Sequence, residues 1–111
     1  GIDAYAVLSC HGQEKRSNVV SVHSSQGSKP EWNETHLFNI SGRENELRIR
    51  IMDKDTLTAD DFLGEVLIPL QPVFEEESIP NTTYNLIKDE RYCGGVRVGL
   101  KFTHQRTREF A

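Results

Sequence analysis

Long apolar runs are missing from this sequence. No stretch approaches the ~18 consecutive apolar residues of a membrane-spanning helix, and no signal-peptide pattern begins at Gly1. An excess of basic residues is missing too, since 13 Lys and Arg face 17 Asp and Glu, giving a formal net charge of −4. Because nucleic-acid binders are usually basic, this balance argues against a nucleic-acid partner. It leaves open a membrane that is reached through a bridging cation.

Cysteine is scarce, and enzyme motifs are missing. Cys10 and Cys93 lie far apart, no C-x-x-C occurs, and the four histidines are scattered, which leaves a structural zinc site unsupported. We expect two reduced thiols, as is typical of an intracellular protein, with one disulfide as the alternative. The chain has no H-E-x-x-H, no nucleophile elbow and no phosphate loop. The sequence therefore predicts that the protein is not an enzyme.

The apolar residues that are present recur at every second position. Leu47, Ile49 and Ile51 alternate with longer or polar neighbours, and the segment 96–102 does the same, which is typical of strands with one buried face. Turn signals separate seven candidate strands: Ala4–Cys10, Arg16–Val20, Trp32–Ile40, Leu47–Ile51, Leu63–Ile68, Thr83–Lys88 and Val96–Phe102. Only residues 71–78 have a helical pattern. We therefore predict an all-β antiparallel sandwich or barrel with one short helix.

The length suits a single domain. The 111 residues are 36% hydrophobic and 27% charged, which is enough for a core and too apolar for a disordered chain. We expect one domain over residues 1–103 and a polar C-terminal tail over residues 104–111, where the alternation stops.

A loop rich in carboxylates, the acidic loop, covers residues 52–64 and reads MDKDTLTADDFLG. It holds Asp53, Asp55, Asp60 and Asp61, opposed only by Lys54. Carboxylates held this close repel one another, and Ca²⁺, which takes about six to eight oxygen ligands, relieves the repulsion. The pattern is not an EF-hand, because it lacks that loop's glycine and glutamate. On composition alone, a cation site and a solvated acidic loop are equally good interpretations.

Four segments of the chain resemble the C2 domain family. They are DAYAVL at 3–8, KPEWNETHLF at 29–38, MDKD at 52–55 and DDFLGEVLIPL at 60–70. The segment 71–103 resembles small plant proteins that are little more than one C2 domain, of the elicitor-responsive and phloem RNA-transport types. The resemblance spans residues 3–103 and implies an antiparallel Greek-key β-sandwich, with one strand more than the seven visible here.

The resemblance also implies a calcium site at one end of the sandwich. The implied ligand side chains are Asp3, Asp53, Asp55 and Asp61. The backbone carbonyl of Lys54 is a further implied oxygen. Asp60 falls between ligand positions and is expected to have no part in the site.

The same resemblance implies contact with a membrane. Leu57, flanked by Thr56 and Thr58 at the apex of the acidic loop, is expected to enter the bilayer, with a stray exposed leucine as the alternative. A candidate basic lipid patch is formed by Lys15, Arg16 and Lys29.

These features imply Ca²⁺-dependent binding to anionic phospholipid membranes, in signalling or plant defence. The protein would be cytoplasmic and reversibly peripheral to the membrane. The alternative is a Ca²⁺-independent scaffold that binds a protein partner through the same sandwich, because a fold does not fix a function.

One expectation concerns the start of the chain. The family's opening strand and its first-loop aspartate would precede Asp3, so the domain is expected to be truncated at its N-terminus. The neighbouring strand 95–103 would then be an exposed edge, and edges recruit other chains. On that basis a dimer or a swapped oligomer is expected.

Overall fold

The computed structural model describes residues 1–22 and 30–104. Its elements there are β1 (Ile2–Cys10), β2 (Gln13–Arg16), β3 (Val20–Val22), β4 (Glu46–Asp53), β5 (Asp61–Pro69), α1 (Gln71–Glu76), β6 (Ser78–Lys88) and β7 (Arg91–Lys101). All strand pairings are antiparallel. The predicted all-β antiparallel fold with one short helix is confirmed. Lys29 and residues 105–111 of the expected tail lie outside the described residues.

The strands follow the order β2-β1-β4-β5-β6-β7, and β3 pairs with the start of β1. The ladders between β1, β4 and β5 are long, whereas β5 and β6 share the single pair Glu65 and Ile87. Beyond this junction the β6–β7 hairpin packs apolar side chains, Tyr84 and Val98 among them, against the core of the other strands. Two layers enclosing one core form a β-sandwich. β7 lies at one margin of the described sheet, and the prediction of an oligomer stays a prediction.

Strand β4 illustrates how the alternating pattern builds the core. Its inward side chains are almost fully buried: Leu47, Ile49 and Ile51. Each such burial contributes about 1.5–3 kcal/mol. The outward residues Arg48 and Arg50 make ion pairs with Glu65 at 3.4 Å and with Glu14 at 3.3 Å. Exposed pairs of this kind contribute little, so the buried face holds β4 in the centre of the sheet.

The prediction of a strand at 32–40 is wrong, although the chain there is partly buried at alternate positions. Trp32, Phe38 and Ile40 pack against the core, and the Trp32 indole N–H donates to the Ala4 carbonyl at 3.3 Å. No strand ladder forms, and Asn33 adopts a left-handed backbone conformation (φ 48°) that breaks an extended run.

A side chain replaces a neighbouring strand along this segment. The Gln13 amide accepts a hydrogen bond from the Asn39 N–H at 3.2 Å and donates one to the Asn39 carbonyl. Both backbone groups of Asn39 are thereby satisfied without a ladder.

The predicted strand at 16–20 is also wrong, since it is divided between two short strands. β2 ends at Arg16 and β3 begins at Val20. Between them Ser17 turns onto β1, where its N–H donates to the Ala6 carbonyl at 2.9 Å and its hydroxyl accepts from the Ala6 N–H at 2.7 Å. These bonds end one strand and begin the next.

Helix α1 is shorter than the predicted range of 71–78. Pro72 suits its first turn, where a missing N–H costs nothing. Glu77 then adopts a left-handed conformation (φ 68°), and its N–H donates to the Val73 carbonyl at 2.8 Å. This αL cap ends the helix, and β6 follows at once from Ser78.

The two cysteines are unpaired and occupy different environments. Cys10 is buried in the core, and burial raises the pKa of its thiol. Cys93 is exposed on β7, with its Sγ 3.6 Å from the Leu63 carbonyl oxygen of β5.

No helix within residues 1–22 and 30–104 combines the length and apolar character needed to cross a bilayer.

Candidate functional site

Three aspartates from three strands lie at one end of the sheet. Asp53 ends β4 and Asp61 begins β5, and the two residues are directly paired across the ladder. Asp53 is also paired with Ala4 of β1, the residue after Asp3. Because paired residues on neighbouring strands point to the same face, the side chains of Asp53 and Asp61 stand next to each other.

Asp3 is fixed to the strands on both of its sides. Its N–H donates to Oδ1 of Asp53 at 3.0 Å, and its carbonyl accepts from the Lys54 N–H at 2.8 Å. Its own Oδ1 accepts the hydroxyl hydrogen of Ser21 on β3 at 2.7 Å. These contacts hold the backbone of Asp3 and Lys54 beside Asp53.

Asp55 organises the tip of the acidic loop. Its Oδ1 accepts from the N–H groups of Leu57 at 2.9 Å and Thr58 at 3.3 Å, and its Oδ2 accepts from the Thr58 hydroxyl at 2.8 Å. These donors, led by the Leu57 N–H, lower the pKa of the Asp55 carboxyl. Asp55 is therefore ionised at neutral pH, with both oxygens hydrogen-bonded inside the loop.

Asp60 ties the acidic loop to the sheet. Its Oδ2 accepts the phenol hydrogen of Tyr5, and its Oδ1 accepts from the Asp55 N–H at 3.0 Å. The hydrogen bond from Tyr5 is the main cause that lowers the pKa of Asp60. The prediction that Asp60 is not a ligand stays a prediction, while its contacts give it a structural link to Asp55. Spacing gave no signal for this role, because it depends on the folded shape of the loop.

The apex of the loop presents an apolar side chain to solvent. Leu57 is 92% exposed, the most exposed large apolar residue among those described. Thr56 is also exposed, while the hydroxyl of Thr58 donates a hydrogen bond to Asp55.

The two described members of the basic patch, Lys15 and Arg16, are exposed neighbours on β2. Since successive strand residues point to opposite faces, these two do not share a face.

The donors present suit a hard cation, since carboxylate and carbonyl oxygens are the ligands that Ca²⁺ takes. Asp53 and Asp61 are paired side by side. Asp3 immediately precedes Ala4, the residue of β1 that is paired with Asp53. Asp55 must exchange its loop donors for an ion before it can join them. Within residues 1–22 and 30–104, no three acidic, histidine or cysteine side chains are close enough to share a metal ion. The residues therefore fit calcium in the type of their oxygen donors, while their side chains in this structure do not converge on one point.

Comparison with known proteins agrees with this architecture. The model of the C2 domain family matches residues 1–86. A solved "C2 domain-containing protein from putative elicitor-responsive gene" superimposes with a TM-score of 0.81 and 48% identity, over 93% of this chain and 74% of that one. A calcium-bound structure of Extended-Synaptotagmin 2 that holds two C2 domains superimposes with a TM-score of 0.66 and 28% identity, over 90% of this chain and 35% of that one.

Two plant proteins are similar over nearly the whole chain. Elicitor-responsive protein 3 of rice (Oryza sativa) is 48% identical over 97% of this chain and 73% of its own length. The 16 kDa phloem protein 2 of Arabidopsis thaliana is 47% identical over 96% of this chain and 71% of its own length. The chain therefore belongs to the C2 domain family, and within it resembles the elicitor-responsive and phloem proteins.

Proposed function

We propose that this protein binds Ca²⁺ through its acidic loop and, in that state, binds anionic phospholipid membranes. The observation that carries the proposal is the direct pairing of Asp53 with Asp61 at one end of the sheet, with the backbone of Asp3 bonded to Asp53 and a loop with an exposed leucine at its apex beside them. Asp55 is the fourth ligand and the Lys54 carbonyl a further one. Likeness to a pair of C2 domains described as calcium-bound supports the choice of ion.

The negative charge of the aspartates makes membrane binding depend on calcium. The aspartates at this end repel an anionic membrane surface, and the lowered pKa of Asp55 and of Asp60 keeps both carboxylates ionised. Bound Ca²⁺ offsets that negative charge and leaves coordination positions for lipid phosphate oxygens. The membrane affinity of the protein is therefore expected to rise steeply with Ca²⁺.

Apolar contact adds to this attraction. Leu57, with Thr56 and Thr58 beside it, is the group that enters the bilayer, and full burial of a leucine contributes about 1.5–3 kcal/mol. Binding of this kind is reversible, which suits a cytoplasmic protein that visits the membrane during signalling. The likeness to a protein described as elicitor-responsive favours a role in plant defence. We propose a binding module and not an enzyme.

One observation favours a second function, that of a Ca²⁺-independent scaffold for a protein partner. The carboxylates of Asp55 and Asp60 each receive hydrogen bonds from protein donors, which offset part of their negative charge. Carboxylates that already accept hydrogen bonds from the protein are stabilised less by binding a cation. Calcium affinity separates the two functions.

Vesicle co-sedimentation tests the proposal. Vesicles of phosphatidylcholine with phosphatidylserine are compared with phosphatidylcholine alone, in Ca²⁺ and in chelator. We expect sedimentation only with phosphatidylserine and Ca²⁺, and its loss in Asp53→Asn/Asp61→Asn. Glu75→Gln/Glu76→Gln, two exposed changes in α1 at the other end of β5 that remove the same number of charges, serves as the matched control. Sedimentation that ignores chelator, or none at all, favours the scaffold.

A further inference from the structure

Tyr5 is a buried polar side chain at the edge of the candidate site. It lies on β1 in register with Met52 and is 6% exposed. A buried phenol needs a hydrogen-bond partner, and Tyr5 finds it in Oδ2 of Asp60. The Arg16 guanidinium lies over the Tyr5 ring at 5.9 Å from its centroid. The ring is thus held from above by β2, while its hydroxyl points at the acidic loop.

From Tyr5 a chain of hydrogen bonds reaches the loop apex. The second oxygen of Asp60 accepts from the Asp55 N–H at 3.0 Å. Asp55 in turn accepts from the Leu57 N–H and from both donors of Thr58. Each link joins an ionised carboxylate to a donor, which is the stronger class of hydrogen bond. The path therefore connects a rigid strand to the most exposed part of the loop.

We propose that Tyr5 and Asp60 are positioning residues, which hold the acidic loop in its bent form before an ion arrives. This inference deepens the proposed function and rests on it for the effect on Ca²⁺ affinity. Asp60 is assigned the positioning role because its carboxylate joins the buried Tyr5 phenol to the Asp55 N–H, a link that stays in place when the Asp55 side chain exchanges its own donors for an ion. A loop shaped in advance binds more tightly, since less ordering is left for the binding step.

The hydrogen bond between Tyr5 and Asp60 has a defined donor and acceptor. The hydrogen bond to Asp60 is the main cause that raises the pKa of Tyr5 above its usual value of 10.0. At neutral pH Tyr5 is therefore the protonated donor and Asp60 the ionised acceptor.

The first test uses protein free of metal. Amide hydrogen exchange of the acidic loop is measured in Tyr5→Phe, with Tyr92→Phe as control, because Tyr92 is a 76% exposed phenol on β7. We expect exchange at the Asp55 amide to become about tenfold faster in Tyr5→Phe, as for loss of one hydrogen bond to a charged group, and to stay unchanged in the control. Unchanged exchange in Tyr5→Phe overturns the positioning role.

The second test is calorimetric titration with Ca²⁺. We expect the affinity of Tyr5→Phe to fall by about tenfold, the scale of an outer partner of a ligand, at unchanged stoichiometry. Wild-type affinity in Tyr5→Phe, with its loop exchange accelerated, overturns the link from positioning to affinity. If wild-type protein binds no Ca²⁺ while exchange responds as expected, the proposed function fails and the positioning role stands.

A second variant guards against poor folding of Tyr5→Phe. In Asp60→Asn the side-chain oxygen can still accept from Tyr5, but the amide nitrogen cannot accept from the Asp55 N–H. The same faster exchange at the Asp55 amide is expected. Wild-type exchange in this variant overturns the proposal as well.

Discussion

The hydroxyl of Thr58 donates to Oδ2 of Asp55 at 2.8 Å, so a residue beside the loop apex is bonded to a proposed calcium ligand. When Asp55 exchanges that hydroxyl for an ion, Thr58 is released next to Leu57. The group proposed to enter the membrane and the group proposed to bind metal are therefore parts of one hydrogen-bonded unit. Ion binding is expected to change the mobility of the apex as well as its charge.

Loss of a ligand should weaken Ca²⁺ binding more than loss of a positioning group. We expect Asp60→Asn to lower the affinity by about tenfold, at the lower end of the effect of losing an outer partner of a ligand, and Asp55→Asn to lower it by more. Isothermal titration calorimetry on both variants gives the comparison. Equal losses would show that the ligand positions in the acidic loop are wrongly assigned.

Calcium should raise the thermal stability of the protein, because the ion binds only the folded state. At a free concentration 100 times Kd the gain is about 2.7 kcal/mol. Asp61→Asn should remove most of that gain. Without calcium it should be more stable than wild type by about 0.2–1 kcal/mol, since Asp61 and Asp53 are like charges directly opposite each other. Melting curves in Ca²⁺ and in chelator test both parts, and a curve indifferent to Ca²⁺ supports the scaffold function.

Leu57→Asn should separate membrane binding from calcium binding. The side chain is 92% exposed, so its loss should change folding stability by no more than about 0.5 kcal/mol. Vesicle affinity in Ca²⁺ should fall by about tenfold, while calcium affinity in solution should not change. The matched control is Leu37→Asn, at a leucine that is 79% exposed outside the acidic loop. An equal loss of vesicle affinity in Leu37→Asn would show that Leu57 has no special part in membrane binding.

Glu44 should make stability depend on acidity. Its carboxylate accepts from the N–H groups of Ser41, Gly42 and Arg43 at 3.0–3.1 Å, and these bonds, led by Ser41, lower the pKa of Glu44 to about 2. A lowered pKa stabilises the folded state above the unfolded value of 4.5, and this contribution is lost as the pH falls toward 2.

Glu44→Gln removes the charge and is expected to lower the melting temperature by about 2–5 °C at pH 7. The difference from wild type should shrink between pH 4.5 and about 2. Thermal melts across that window measure it, with Glu75→Gln as an exposed control. A difference that is constant with pH would contradict the assigned cause.

Periodicity predicted those parts of the fold that depend on alternating burial. β4 and β5 follow from it, because one face of each carries nearly fully buried residues such as Ile49 and Val66. Residues 32–40 have the same alternation, yet form no ladder. Their inward side chains pack on the core while Gln13 bonds the backbone of Asn39. Burial alone therefore predicts an extended chain, and not its hydrogen-bond partners.

The candidate site was predictable to the same extent. Local pattern revealed the two strands that flank the acidic loop, the resemblance to the C2 domain family picked out Asp53 and Asp61, and the folded chain extends both strands so that these two residues are paired. The bond between Tyr5 and Asp60 joins residues far apart in the chain and depends on how the loop bends. No spacing rule contains that information, so the positioning pair emerged only from the folded chain.

The unlike environments of Cys10 and Cys93 make site-selective labelling feasible in the unmodified protein. A maleimide dye reacts with a cysteine that it can reach, and Cys93 is exposed, whereas Cys10 is buried and burial raises the pKa of its thiol. The sulfur of Cys93 lies against the Leu63 carbonyl, two residues after Asp61. A fluorophore attached to Cys93 would report the binding of an ion to the acidic loop and the approach of the loop to a vesicle. No residue, and in particular no proposed ligand, would have to be substituted.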